Sequence, residues 1–130
     1  MFTKNIYIRI FENRILAKNV DTAEFADIPA IRPFSHPRSL LGDFEAATEA
    51  LKAALRAVKG RSFFLMSGVV IHAMEKNEGG LTLIEQRAFI ELAIGCGASK
   101  AVVWQGPSLS DEGVREKIRQ AKFGGSATHG

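Results

Sequence analysis

Residues 63–74 read Phe63-Phe64-Leu65-Met66-Ser67-Gly68-Val69-Val70-Ile71-His72-Ala73-Met74, an apolar run broken only by Ser67, Gly68 and His72. A strand with one wet face alternates apolar and polar residues, whereas a strand covered on both faces does not. The run therefore predicts a strand buried on both sides, with Val69-Val70-Ile71 as its most strand-like part. Such a strand belongs in the middle of an α/β sheet, and its flanks bear this out.

Downstream, Gly79-Gly80 punctuates the chain and Thr82-Leu83-Ile84-Glu85 is a capping box, Thr82 bonding forward to the backbone and Glu85 reaching back. A helix starts there and runs through Phe89, Leu92 and Ala93 towards Gly97. It is apolar over so much of its circumference that deep burial is expected. Ala101-Val102-Val103-Trp104 predicts a further strand, Gly106-Pro107 a turn, and Ser110 through Val114 and Ile118 to Ala121 a third helix.

Upstream, Phe44, Ala47, Leu51, Ala54, Leu55 and Val58 recur at three- and four-residue steps, with Glu45, Glu49, Lys52, Arg56 and Lys59 on the other face. This is an amphipathic helix beginning at Asp43, acidic early and basic late as its dipole prefers, with Gly60 as its stop. Pro33, His36 and Pro37 precede it as loop. Ala26 to Ile31 reads as a short strand that Pro29 confines to a sheet edge, since proline cannot donate to the ladder. Before it, Ile6, Ile8 and Ile10 alternate with Tyr7, Arg9 and Phe11, and a second run spans Arg14 to Val20. Glu12-Asn13 between them marks a hairpin, because asparagine tolerates the positive φ of a tight turn.

The order is thus βββαβαβα. Strands separated by helices pair in parallel and the opening hairpin is antiparallel, so the expected fold class is α/β: a three-layer, five-stranded mixed sheet with helices covering it. One domain is expected over residues 1–123, with a flexible tail at 124–130.

With 46% hydrophobic and 24% charged residues, the chain falls among globular proteins rather than disordered or fibrous ones. Its net charge of +3 arises partly from Arg115, Lys117, Arg119 and Lys122, but Asp111, Glu112 and Glu116 are interleaved with them. A solvated helix face reads that way, and specific nucleic-acid binding is not expected. A single cysteine, Cys96, rules out an intrachain disulfide and points to the reducing cytoplasm. Its place in the last turn of an apolar helix predicts a small buried hydrophobe, since the dipole there opposes a thiolate. No apolar stretch is long enough for a membrane span, and the charges within residues 1–14 interrupt the apolar core that a signal peptide needs, so none is expected. His36, His72 and His129 show no metal-ligand spacing, and neither a metal nor a cofactor is expected.

Thr82-Leu83-Ile84-Glu85-Gln86-Arg87-Ala88, continued by Ala93, Gly97-Ala98 and Val102, resembles the rod-shape-determining, bacterial actin-like proteins, in which Thr, Glu and Arg-Ala open a helix that ends in Gly-Ala before a strand. Asp43-Phe44-Glu45-Ala46 resembles the start of their preceding helix. The resemblance spans Gly42 to Trp104 and implies one half-domain of the actin, sugar-kinase and Hsp70 superfamily, which has a ribonuclease H-like fold. That family holds phosphate and metal in its first hairpin with an Asp and following glycines. Here Ile8-Arg9-Ile10-Phe11-Glu12-Asn13-Arg14-Ile15 offers neither, and only one half is present. The resemblance therefore implies a non-catalytic interaction or regulatory module, linked to cell-shape or filament proteins, that binds a protein partner or self-associates; weak nucleotide binding stays open.

In open α/β sheets ligands collect outside the carboxyl ends of the strands. His72, Glu75, Lys76, Gly79, Gly80 and Thr82 follow the fourth strand, where the glycine pair could nest an anion and the two bases add charge. This gives an alternative function, a small-ligand site or enzyme; against it, Gly79-Gly80 reads as a plain turn and His72 as a residue packed on the second helix. Trp104 and Gln105 follow the fifth strand and, with Arg115 and Arg119, are candidates for contact with a partner. The plainer reading of Trp104 is core packing beside an ordinary turn.

Overall fold

β1 (Thr3–Phe11), β2 (Arg14–Asn19) and β3 (Phe25–Pro29) form an antiparallel meander in the computed structural model, which describes residues 3–35, 40–58, 66–76, 78–121 and 124–128. The β1–β2 turn closes with Phe11 opposite Arg14, and Asn13 takes φ 53°, as its place in the sequence predicts. Its side-chain carbonyl accepts from the backbone N–H groups of Phe34 at 2.8 Å and Ser35 at 2.7 Å, so the hairpin also pins the chain that leaves β3.

α1 (Phe44–Val58) begins on Asp43, whose carboxylate accepts from the Ala46 N–H at 3.0 Å. β4 (Met66–Ala73) lies parallel to β1, with Ile8 opposite Ile71, and α2 (Leu83–Gly95) carries the chain to β5 (Lys100–Gln105), parallel to β4. α3 (Asp111–Gln120) is capped by the Ser110 hydroxyl. The expected class stands: a mixed sheet between helices on both faces. α1 and α2 cover one face over Ile6, Ile8, Ile10, Ile15, Val69 and Ile71, which are fully buried. Among the described residues α3 covers the other, over Tyr7, Val70, Val102 and Trp104. Burying each such large apolar side chain stabilises the fold by roughly 1.5–3 kcal/mol.

Three expectations need correction. Among the described residues the sheet has six strands, in the order β3-β2-β1-β4-β5-β6. β6 (Gly124–Thr128) falls in the stretch expected to be a tail and pairs in parallel with β5, from Ala101 opposite Gly124 to Gln105 opposite Thr128. Gly-Gly-Ser-Ala-Thr has little strand propensity, so the free edge of β5 organises it rather than any local preference. α2 is not deeply buried all round. Phe89, Leu92 and Ala93 face the sheet, but Leu83 and Ile84 are 81% and 83% exposed. A helix resting on a sheet buries one stripe, so a helix apolar on every side must turn part of it outward. Finally, His72 points to the α3 side of the sheet and not toward α2, because its neighbours Ile71 and Ala73 take the α1–α2 face. His36, Pro37, Gly60, residues 63–65 and His129 lie outside the described residues.

Candidate functional site

The carboxyl ends of β1, β4 and β5 meet at one edge of the molecule, as parallel pairing requires. His72, one residue before the end of β4, is only 4% exposed. Its Nδ1 lies 2.7 Å from the Tyr7 hydroxyl, and the two rings stack at 6.1 Å with 17° between planes. The Tyr7 oxygen also accepts from the Leu109 N–H at 3.2 Å. An amide can only donate, so of these two partners only Nδ1 is open to the phenolic hydrogen, and with that assignment the ring carries its proton on Nε2. The Gly106 backbone also interacts with the ring, in the sense that favours its charged form. Burial nonetheless pushes the His72 pKa below its ordinary value, and the Arg9 guanidinium, which also sits over the Tyr7 ring at 5.5 Å, adds to the shift.

Glu75 and Lys76 turn elsewhere. The Glu75 carboxylate accepts from the Glu12 N–H at 2.5 Å, and the Lys76 ammonium lies 3.7 Å from the Glu12 carboxylate. Both fasten the loop after β4 to the β1–β2 turn. The sequence thus placed His72, Glu75 and Lys76 at the same strand end, but the fold sends them to different neighbours.

Gly79 and Gly80 take φ 77° and 87°, which side chains rarely adopt, and so set the turn into α2. Two of the backbone donors beside the pair are spent internally. The Leu81 N–H bonds the Gln105 side-chain carbonyl at 2.7 Å and the Thr82 N–H bonds Glu85 at 2.8 Å, while the Thr82 hydroxyl accepts from the Glu85 N–H at 3.1 Å. Gln105, a candidate for partner contact, is instead a latch between the end of β5 and the entry to α2.

Trp104 is 5% exposed, with its indole N–H on the Pro107 carbonyl at 2.7 Å and the Lys117 ammonium 4.5 Å from its ring. The core-packing reading holds, and Trp104 offers no open surface. Arg115 reaches across to Asp21 at 3.1 Å and to the Val20 carbonyl at 2.9 Å, tying α3 to the turn after β2. Arg119 is 61% exposed but pairs with Glu112 and Glu116 on its own helix. Cys96 packs against the α1–α2 core with its thiol 3.7 Å from the Thr48 carbonyl, and burial raises its pKa.

What the sequence missed is apolar. Beside the first turn of α2, among the described residues, lies a cleft of about 180 Å³ walled by Leu40, Leu41, Leu81, Ile84, Ala88 and Phe89, with Lys76 and Glu85 on its rim. Leu83 stands beside it in the open. The signal was the all-round apolar character of residues 83–94, which implies an outward apolar side as firmly as an inward one.

The chain is 28% identical over 125 residues to the uncharacterized protein YjaA of Escherichia coli (strain K12), a match taking in 88% of this chain and 97% of that protein. No family model matches the sequence. No solved structure matches it. Among the described residues no helix is long and apolar enough to cross a membrane, and no group of three or more His, Cys, Asp or Glu could hold a metal ion.

Proposed function

We propose that the protein is a non-catalytic interaction module that takes an apolar segment of a partner protein on the α2 entry. One contrast carries the reading. The polar groups at the strand ends are paired with one another, His72 with Tyr7 and both Glu75 and Lys76 with Glu12, whereas Leu83 and Ile84 are more than four-fifths exposed beside a cleft of matching chemistry. Exposed apolar surface with a polar rim marks a contact site on a folded protein.

The resemblance to an actin-like half-domain is supported by the meander and its parallel additions, and by the capping box that opens α2. It directs the choice of partner to cell-shape or filament proteins. Nucleotide hydrolysis by this chain is disfavoured by its first hairpin. The Glu12 N–H is taken by Glu75 and the Asn13 N–H by the Ser35 hydroxyl at 3.0 Å, so the turn has no amides to offer a phosphate. The setting we infer is the cytoplasm, where a lone thiol stays reduced.

The test is photocrosslinking in cells from a reactive residue placed at position 83 of the full chain. A discrete protein adduct that Ile84→Asp abolishes supports the reading. Absence of any adduct, or one that Ile84→Asp leaves intact, overturns it.

A further inference from the structure

β3 is the last strand of the sheet on its side. In an antiparallel ladder, hydrogen-bonded and non-bonded pairs alternate. The Asn19 N–H bonds the Glu24 carbonyl at 2.9 Å and the Ala30 N–H bonds the Asn13 carbonyl at 3.0 Å. With Ile15 opposite Ile28 and Ala17 opposite Ala26, these bonds set the phase. Ala26 and Ile28 turn their backbone groups toward β2, and Phe25, Asp27 and Pro29 turn theirs out. The outer edge therefore presents the N–H groups of Phe25 and Asp27 and the carbonyls of Phe25, Asp27 and Pro29. Proline falls where its missing N–H costs the native ladder nothing.

Behind this edge, on the helix side, runs a groove of about 470 Å³ between β3 and α1, lined by Ile28, Ile31, Ala46, Ala50 and Ala53. Ile31 is fully exposed and Phe25 is 54% exposed. Glu49 and Arg56 flank the small side chains on the same helix. Arg56 makes no ion pair among the described residues, and Glu49 is held by Arg32 at 3.0 Å.

We propose that the chain forms a two-fold dimer by antiparallel pairing of β3 with β3 of a second copy, centred on Asp27. The inference is independent of the Leu83–Ile84 surface, on the other side of the molecule's strand order. Centred there, each copy donates from Asp27 to Asp27 of the second copy and from Phe25 to its Pro29 carbonyl. Only the return bond to Phe25 is lost to proline. A register two residues further along sets Pro29 against Asp27 and loses a central bond instead. On the helix side, Ala26 faces Ile28 of the second copy; on the other side the two Asp27 carboxylates meet, each already held by Arg14.

The helices agree with the strands. Asn19, paired with Glu24 just before β3, bonds the Val58 carbonyl at the end of α1, and Arg32, just after β3, bonds Glu49, so α1 runs opposite to β3. Counted from the Asn19–Val58 bond, whose backbone partner Glu24 lies three residues before Asp27, at about 3.3 Å per strand residue and 1.5 Å per helix residue, Asp27 is level with roughly residue 52 of α1. A two-fold axis there brings Glu49 against Arg56 of the second copy, and Arg56 against its Glu49. Alanines between them let the helices approach. The backbone edge and the charge pattern are thus self-complementary about one axis, which is what an isologous interface requires and what an unrelated strand would not match.

Sedimentation of the full chain over a range of concentrations tests this, with far-ultraviolet circular dichroism confirming that each variant is folded. The wild type is expected to dimerise. Arg56→Glu, which sets like charges together twice, is expected to weaken the dimer by roughly tenfold or more. Glu49→Arg combined with Arg56→Glu is expected to restore it. Asp27→Pro, which removes the outward N–H together with the exposed carboxylate that pairs with Arg14, is expected to abolish it. A wild type that stays monomeric throughout overturns the proposal, as does a dimer that both Arg56→Glu and Asp27→Pro leave unchanged.

Discussion

The Tyr7 hydroxyl gives its one hydrogen to His72 Nδ1 and accepts from the Leu109 N–H, an arrangement complete only while the imidazole is neutral. A proton added at Nδ1 would leave the phenolic hydrogen without an acceptor, inside the layer where Trp104, Val114 and Ile118 exclude water. Burial, with the nearby Arg9 charge, holds the folded ring below the ordinary histidine value of 6.5. The unfolded chain then binds more protons than the folded one in the interval between the two values. Stability should be whole above about pH 6.5 and should fall as pH drops through that interval, by at most about 1.4 kcal/mol per pH unit from this group. Urea unfolding from pH 7.5 to pH 5 is expected to show this loss, and His72→Gln to flatten it by comparison, which separates His72 from the carboxylates. Tyr7→Phe at pH 7.5 is expected to cost about 1–3 kcal/mol, since it strands both Nδ1 and the Leu109 amide. None of this was legible in the sequence, where Tyr7 reads as one polar step in an alternating strand and His72 as a lone interruption. The bonds span 65 and 102 residues, and no local pattern encodes so distant a partner.

At the scale of elements, the local signals served well. The Asn13 turn, the α1 stripe and the Thr82–Glu85 capping box each depend on neighbours within a few residues, and each forms where the sequence places it. Pro29 marked β3 as an edge for the right physical reason. Gly68 was read merely as a break in an apolar run, yet its place decides how closely α3 seats. A Cβ there would stand 2.3 Å from Cγ2 of Ile118, far inside van der Waals contact. α3 crosses β4 at the one residue without a side chain, so Gly68→Ala must lift the helix or distort the strand. A destabilisation of about 1–3 kcal/mol is expected from such overpacking. Ile118→Ala added to Gly68→Ala should cost less than the two changes measured singly, because the second removes what the first strikes. Urea unfolding of the four-protein cycle measures this coupling. Additive losses would mean that α3 does not rest on Gly68.

Across the whole molecule, the sheet has two edges managed in opposite ways. β3 is short and bears Pro29 and Asp27, devices that discourage indiscriminate pairing while leaving one register open. β5 is the reverse: Ala101, Val102, Val103 and Trp104 are all buried, and as an end strand it would be an apolar, unguarded template for aggregation. β6 lies against it, so five residues with little strand propensity of their own shield the stickiest strand in the sheet. Such a cover bears on solution behaviour. Deleting residues 124–130 is expected to leave β1 and β4 as protected from hydrogen exchange as before, while β5 amides formerly bonded to β6 lose protection. The shortened chain should also aggregate at concentrations where the full chain stays clear, by light scattering. Full protection of β5 after the deletion would mean that its edge is satisfied some other way and that β6 is not its cover.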